Sequence, residues 1–344
     1  MKISYICGIL GLCLPALAPA APWYPAQTVA DGRHVAYRPL PRVHKSWRIC
    51  ALFPHVRDRY WWGVSWGLVD EARRQGVKLG LYQAGGYDNL AVQQEQFQAC
   101  LRKGADAILL ASLSADGMND AIAQAAARGV PVIDLITGVS SDKVSARSLV
   151  RFDDMARAAT RYLLSYSRRQ QVSIAWLPGP RDAGWVRGAE AGMYQAIRHK
   201  SVTLQHGGYG PPELTTQMGL VRAILRADAR YPDYFLGNSV AIEAAANYMH
   251  HYPQVASRAI SFYATEPVLR LIAEGKVLAA VSDSPVLQAR IGLDLALRIL
   301  EKQPHAYSVS PKIEVIDAGN VAAYDLSRVY SPEYVRITQQ ALPN

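Results

Sequence analysis

From residue 47 onward, short apolar runs alternate with longer stretches whose apolar positions recur at helical spacing. The runs fall at 47–53, 77–82, 106–111, 130–136, 172–177, 202–206, 233–237, 258–263 and 277–282. Helical stretches lie between them at 63–75, 89–103, 116–128, 153–169, 184–199, 213–227, 239–250, 265–274 and 286–303. Strands this short and this continuously apolar are buried on both faces, so they predict parallel sheets covered by helices. The alternation occurs before residue 150 and again after it. The expected fold is therefore α/β, with two doubly wound parallel-sheet lobes.

The first 21 residues break this pattern. Lys2, an apolar run at 3–14 and small residues around Ala18 and Ala20 have the layout of a cleaved secretory signal. The apolar run is well short of the roughly 20 residues a spanning helix needs. Residues 22–46, punctuated by Pro22, Pro25, Pro39 and Pro41, read as an arm or linker. At roughly 150 residues per domain, the remainder has room for two.

Composition adds two points. Removal of the leader takes two of the four cysteines and leaves Cys50 and Cys100. In an oxidising compartment these form either one bridge or a pair of buried thiols. The net charge of +9 comes from scattered basic residues near helix ends, where they complement the helix dipole, and no basic tract for nucleic acid is formed.

In open α/β sheets the ligand sits beyond the carboxyl ends of the strands. Tyr60, Trp61 and Trp62 stand at that point in the first βα unit. Aromatic faces there suit a small methylated or cationic ligand. Tyr60 and Trp61 read as cleft walls or as core rings, while Trp62 and Trp66, four apart, read as helix face. Tyr87 follows two glycines and is either a cleft residue or part of an ordinary turn. Asn238 reads as a helix cap. No nucleophile elbow, phosphate loop or metal-ligand spacing stands out, so neither catalysis nor a cofactor is expected.

The segments CALFP (50–54), EARRQGV (71–77), AGGY (84–87), GADAILL (104–110), LPGPRDAG (177–184), ISFY (260–263) and EGKVLAAVSD (274–283) resemble type I periplasmic binding proteins. AGGY, PGP-x-x-AG and SFY resemble more narrowly the branch that senses trimethylamine N-oxide. The resemblance implies a hinge of three crossings. The N-lobe would be 47–150 plus 284–302, and the C-lobe 151–283 plus 303–344.

It further implies ligand contacts at Tyr60, Trp61, Tyr87, Ser112, Tyr263 and Asp283, the last alternatively a hinge hydrogen bond. Sugar-binding relatives carry an Asp–Arg pair where this chain has Ile136–Thr137, which argues against a sugar. The amine-oxide branch has a Trp at the first crossing, where this chain has Arg151 followed by Phe152. Arg151 is then a partner for an oxyanion or a solvated hinge charge. The implied partner is the periplasmic domain of a membrane sensor histidine kinase. The alternative is delivery of a small polar solute to an ABC importer.

Overall fold

The computed structural model describes residues 22–227, 230–331, 337 and 339–343. The leader expected at 1–21 lies outside the described residues. Strands β1 (Ala26–Ala30) and β2 (Arg33–Tyr37) open the chain as a hairpin. A first α/β run follows: β3 (Arg48–Phe53), α1 (Arg59–Gln75), β4 (Lys78–Gln83), α2 (Leu90–Arg102), β5 (Ala107–Leu110), α3 (Asn119–Ala127), β6 (Val132–Leu135) and β7 (Ala146–Ser148). The second begins with α4 (Phe152–Ser167), β8 (Val172–Leu177), α5 (Gly184–Ile197), β9 (Val202–His206) and α6 (Leu214–Ala227). It continues through β10 (Tyr234–Gly237), α7 (Ser239–His251), β11 (Arg258–Ser261), α8 (Glu266–Ala273) and β12 (Ala279–Ser282). Helix α9 (Pro285–Leu300) and strands β13 (Val309–Pro311) and β14 (Glu314–Asp317) follow.

The first sheet is parallel, in the order β4-β3-β5-β6-β7. The second has the order β14-β12-β11-β10-β8-β9, with β14 alone antiparallel. Both are α/β lobes of the expected class. Fully buried runs such as Ile49–Phe53 and Ala107–Leu110 explain why these segments are strands covered on both sides. Cys50 on β3 and Cys100 on α2 are joined by a disulfide that fastens helix to sheet.

Helix α9 follows the second sheet in sequence but packs on β5, β6 and β7 of the first, and along α1. Gly67 permits that approach, since a Cβ there would lie 2.5 Å from the Val286 carbonyl oxygen and 2.9 Å from the Ala289 Cβ. The chain therefore passes between the lobes after β7, after β12 and again between α9 and β14.

Two stretches depart from expectation. The supposed arm at 22–46 contains the β1–β2 hairpin, turned by Asp31 and Gly32 at φ 46° and 80°. That is the two-residue turn an Asp-Gly pair favours, and the alternation on either side of it was the overlooked signal. The hairpin extends to β13 and is anchored on α9, where Tyr37 Oη donates to Asp294 at 2.5 Å and the Leu40 N–H at 2.7 Å. The tail also differs from its assignment to the second lobe. Gln340 exchanges backbone hydrogen bonds with Leu81 at 2.7 and 3.0 Å, and Leu342 lies over Gly80 of the first sheet.

Candidate functional site

Strand β3 ends at Phe53, and helix α1 starts at Arg59, four residues earlier than the apolar spacing suggested. Asp58 caps it, its carboxylate accepting from the Trp61 N–H at 3.1 Å. Tyr60 and Trp61 thus occupy the first helical turn, above the strand ends.

Tyr60, Trp61, Tyr87 and Tyr263 come together around one cavity, which Asp58, Ile136, Thr137, Phe152, Trp185 and Pro212 complete. Its empty volume is about 330 Å³, counting the part open to solvent. The rings meet edge to face or tilted: Tyr60–Trp61 and Tyr60–Tyr263 at 5.5 Å, Phe152–Trp185 at 5.6 Å and Trp185–Tyr263 at 6.0 Å. The Trp185 Nε1–H donates to Tyr87 Oη at 3.2 Å.

Three expected contacts lie elsewhere. Ser112 is buried in the turn after β5, its hydroxyl donating to the Ser114 carbonyl at 2.6 Å. Arg151 points to solvent and pairs with Asp153 at 2.7 Å, because two carboxylates in the first turn of α4 draw it away. The aromatic wall at this crossing is Phe152, one position on. Asp283 is fully buried behind Tyr60, whose hydroxyl donates to its Oδ2 at 2.6 Å, and Gln288 Nε2 donates to the same atom at 2.8 Å. It braces the site at the second crossing and does not line the cavity.

Trp185 was missed because its position in α5 reads as core. The Pro178–Gly179–Pro180 loop ahead of it does read from the sequence as a loop that lines a cleft, but nothing in the helical pattern shows that the indole turns toward it. Gly179 has φ 129°, and a Cβ there would sit 2.4 Å from the Trp185 ring, so glycine is what lets the indole reach the cavity. Asn238 caps α7 as expected, accepting from the Ala241 N–H at 3.0 Å.

Burial dominates the electrostatics. It raises the Asp58 carboxyl, against opposing effects of His55 and of the N–H groups of Trp61 and Tyr60. It lifts Asp283 to about 6, opposed by the hydrogen bonds from Tyr60 and Gln288. The phenols of Tyr60, Tyr87 and Tyr263 are all pushed up, keeping them protonated donors. His55 packs under Trp61 and Tyr87 at 6.3 and 5.7 Å, and burial lowers its pKa. Asp58 carries the only carboxyl group among the lining residues. Among the described residues no group of three or more His, Cys, Asp or Glu could hold a metal ion.

Ion pairs tie the lobes across the mouth. Arg57, after β3, pairs with Glu213, ahead of α6. Arg59 meets Glu266 at 3.2 Å, and Arg187 meets Asp116 at 2.7 Å.

Two hinged α/β lobes closed on a small aromatic cavity define a ligand-binding protein. The family description "periplasmic binding protein domain" matches residues 50–304, and the chain belongs to that family. It is a binding protein, not an enzyme. Periplasmic protein TorT of Escherichia coli K12 is 32% identical over 307 residues, which span 88% of this chain and 87% of TorT. An ABC transporter solute-binding protein from Bradyrhizobium sp. BTAi1, solved with bound bis-Tris, shares 35% identity. Its TM-score is 0.79, with 93% of this chain and all of that one covered. TorT in complex with the TorS sensor domain, in the presence of TMAO, is 28% identical at a TM-score of 0.75, covering 85% of this chain and 99% of that one.

Proposed function

We propose that this chain is an exported sensor. It encloses trimethylamine N-oxide, or a methylated zwitterion of similar size, between its lobes and reports it to the periplasmic domain of a membrane sensor histidine kinase. The observation that carries this reading is the single cavity walled by six aromatic side chains with one carboxylate among them. Ring faces attract a methylated ammonium centre, and Asp58 adds a complementary charge. With Arg151 turned outward, no lining cation repels that centre. Likeness to TorT supports the kinase partner. The leader at 1–21 would direct the chain to the periplasm and be cleaved there.

Signalling requires the closed form to bind ligand more tightly than the open one, since equal affinity would shift nothing. The interlobe pairs Arg57–Glu213, Arg59–Glu266 and Arg187–Asp116 join the lobes in this arrangement, and moving the lobes apart would have to break them, which gives ligand and kinase a common change to read.

A second reading is delivery of a small polar solute to an ABC importer. It is favoured by the Bradyrhizobium relative, whose match covers more of this chain than that of TorT. Affinity capture with a sensor-kinase periplasmic domain and with an importer permease separates the two. For the ligand, calorimetry of the mature protein should give a measurable heat with trimethylamine N-oxide. Trp61→Ala should weaken binding by about 1–2 kcal/mol, the value of one desolvated cation–π wall. No heat with the N-oxide alongside clear binding of a sugar would refute the ligand class.

A further inference from the structure

Besides the tyrosine hydroxyls, two polar side chains line the cavity, in unlike states. Asp58 is engaged as the cap of α1. Thr137 is 2% exposed, and its Oγ1 is buried with no hydrogen-bond partner among the described residues. Its own N–H is committed to the Leu135 carbonyl at 2.7 Å, so the free capacity is in the hydroxyl.

The backbone beneath it is unusual. Ile136 has φ 68°, a left-handed conformation that a β-branched residue adopts only under constraint. The constraint includes the Ile136 N–H donating to the Ser148 carbonyl at 3.0 Å on neighbouring β7. A strained turn that leaves the buried hydroxyl of a cavity-lining residue unsatisfied is costly unless something pairs with that hydroxyl.

The lining residues include neither Lys nor Arg. The guanidinium of Arg57 bonds to Glu213 and to the Gly85 carbonyl, and that of Arg151 to Asp153. A ligand carboxylate would therefore enter without a counter-charge, in the same cavity as Asp58, at a large desolvation cost. An N-oxide oxygen is bonded directly to its cationic nitrogen and needs only a neutral donor.

We infer that Thr137 Oγ1–H donates to the ligand's single anionic oxygen, and that the cavity thereby selects an N-oxide over a carboxylate betaine and over a bare tetraalkylammonium. This rests on the proposed ligand class and sharpens it. Thr137 is the donor that distinguishes the oxide, while the rings and Asp58 serve the methylated end.

The test is calorimetry of the mature protein with trimethylamine N-oxide, glycine betaine and tetramethylammonium, using wild type, Thr137→Ser and Thr137→Val. Wild type should prefer the N-oxide to betaine by about tenfold or more. Thr137→Val, which keeps the shape, should lose about ten- to a hundredfold toward the N-oxide while tetramethylammonium affinity stays within about twofold. Thr137→Ser should restore the N-oxide. Thermal unfolding of each variant checks that the fold is retained, and Thr137→Ala, which also removes the donor, carries the test if valine unfolds the chain. Equal losses toward both ligands, an unchanged N-oxide affinity in Thr137→Val, or betaine bound as tightly as the N-oxide would each overturn the assignment. A wild type that binds neither methylated probe would remove the underlying ligand class as well.

Discussion

The first lobe's side of the cavity presents Asp58, Thr137 and the hydroxyl-bearing Tyr60 and Tyr87 beside Trp61 and Ile136, whereas the second lobe's side presents Phe152, Trp185, Pro212 and Tyr263. Behind the first, Asp283 accepts a hydrogen bond from Tyr60 and is itself held by Gln288. Behind the second, Phe262 and Trp176 pack ring against ring at 5.3 Å, and Phe262 meets Trp185 at 6.1 Å. One wall carries most of the directional chemistry and the other is mainly a hydrophobic plate. A division of labour follows. The first wall decides which ligand is accepted, and the second supplies the contact area that makes closure favourable.

The plate should show the largest effect when broken. Trp185→Ala removes a buried indole that touches Phe152, Tyr87, Phe262 and Tyr263. It should cost about 3–5 kcal/mol of stability and reduce binding of every cavity ligand in parallel. Urea unfolding and calorimetry would read both, and a change in ligand preference in place of a uniform loss would contradict the division proposed here.

The brace behind the first wall should show an intermediate effect, visible as pH dependence. Asp283 and Asp134 both titrate near 6 in the folded protein because burial disfavours their charged forms. Folded chains then hold more protons than unfolded ones between about pH 4 and 6, so stability falls as pH rises through that window and levels off above it. Each carboxyl contributes at most about 3 kcal/mol to the fall. Asp283→Asn should abolish its share and leave that of Asp134, as measured by urea midpoints at pH 4, 5 and 7. An equally steep fall in the variant would mean that Asp283 does not titrate as its burial implies.

The smallest effect belongs to the mouth. Arg57 and Glu213 are substantially exposed, and such pairs contribute about 0–1 kcal/mol. Arg57→Ala should leave stability nearly unchanged and weaken ligand binding only a few-fold, with the difference vanishing at high salt. A loss that persists in high salt would place Arg57 in the binding site proper.

Much of the fold was legible in the sequence because strand burial on both faces leaves continuous apolar runs that no helix of that length requires. Tyr60, Trp61 and Tyr87 were legible because strand-end positions in such sheets face the cleft, whereas Tyr263 was legible only through the family resemblance. Arg151 and Phe152 show the limit. They are neighbours in sequence, and which of them turns inward depended on Asp153 and Asp154 capturing the guanidinium in the first turn of α4. Trp185 was hidden for a related reason, since its path to the cavity runs over Gly179 and is not a matter of helical period.

Local pattern by itself determined the alternating elements, the two-lobed architecture and the aromatic character of the cleft, since these follow from nearest-neighbour burial and the period of the chain. Only tertiary structure decided that α9 returns to the first sheet, that Asp283 braces Tyr60 instead of touching the cavity, and that Thr137 is left with an unpaired hydroxyl. Those outcomes depend on which distant groups meet, and hydrogen bonds between residues more than 200 positions apart leave no periodic trace in either partner.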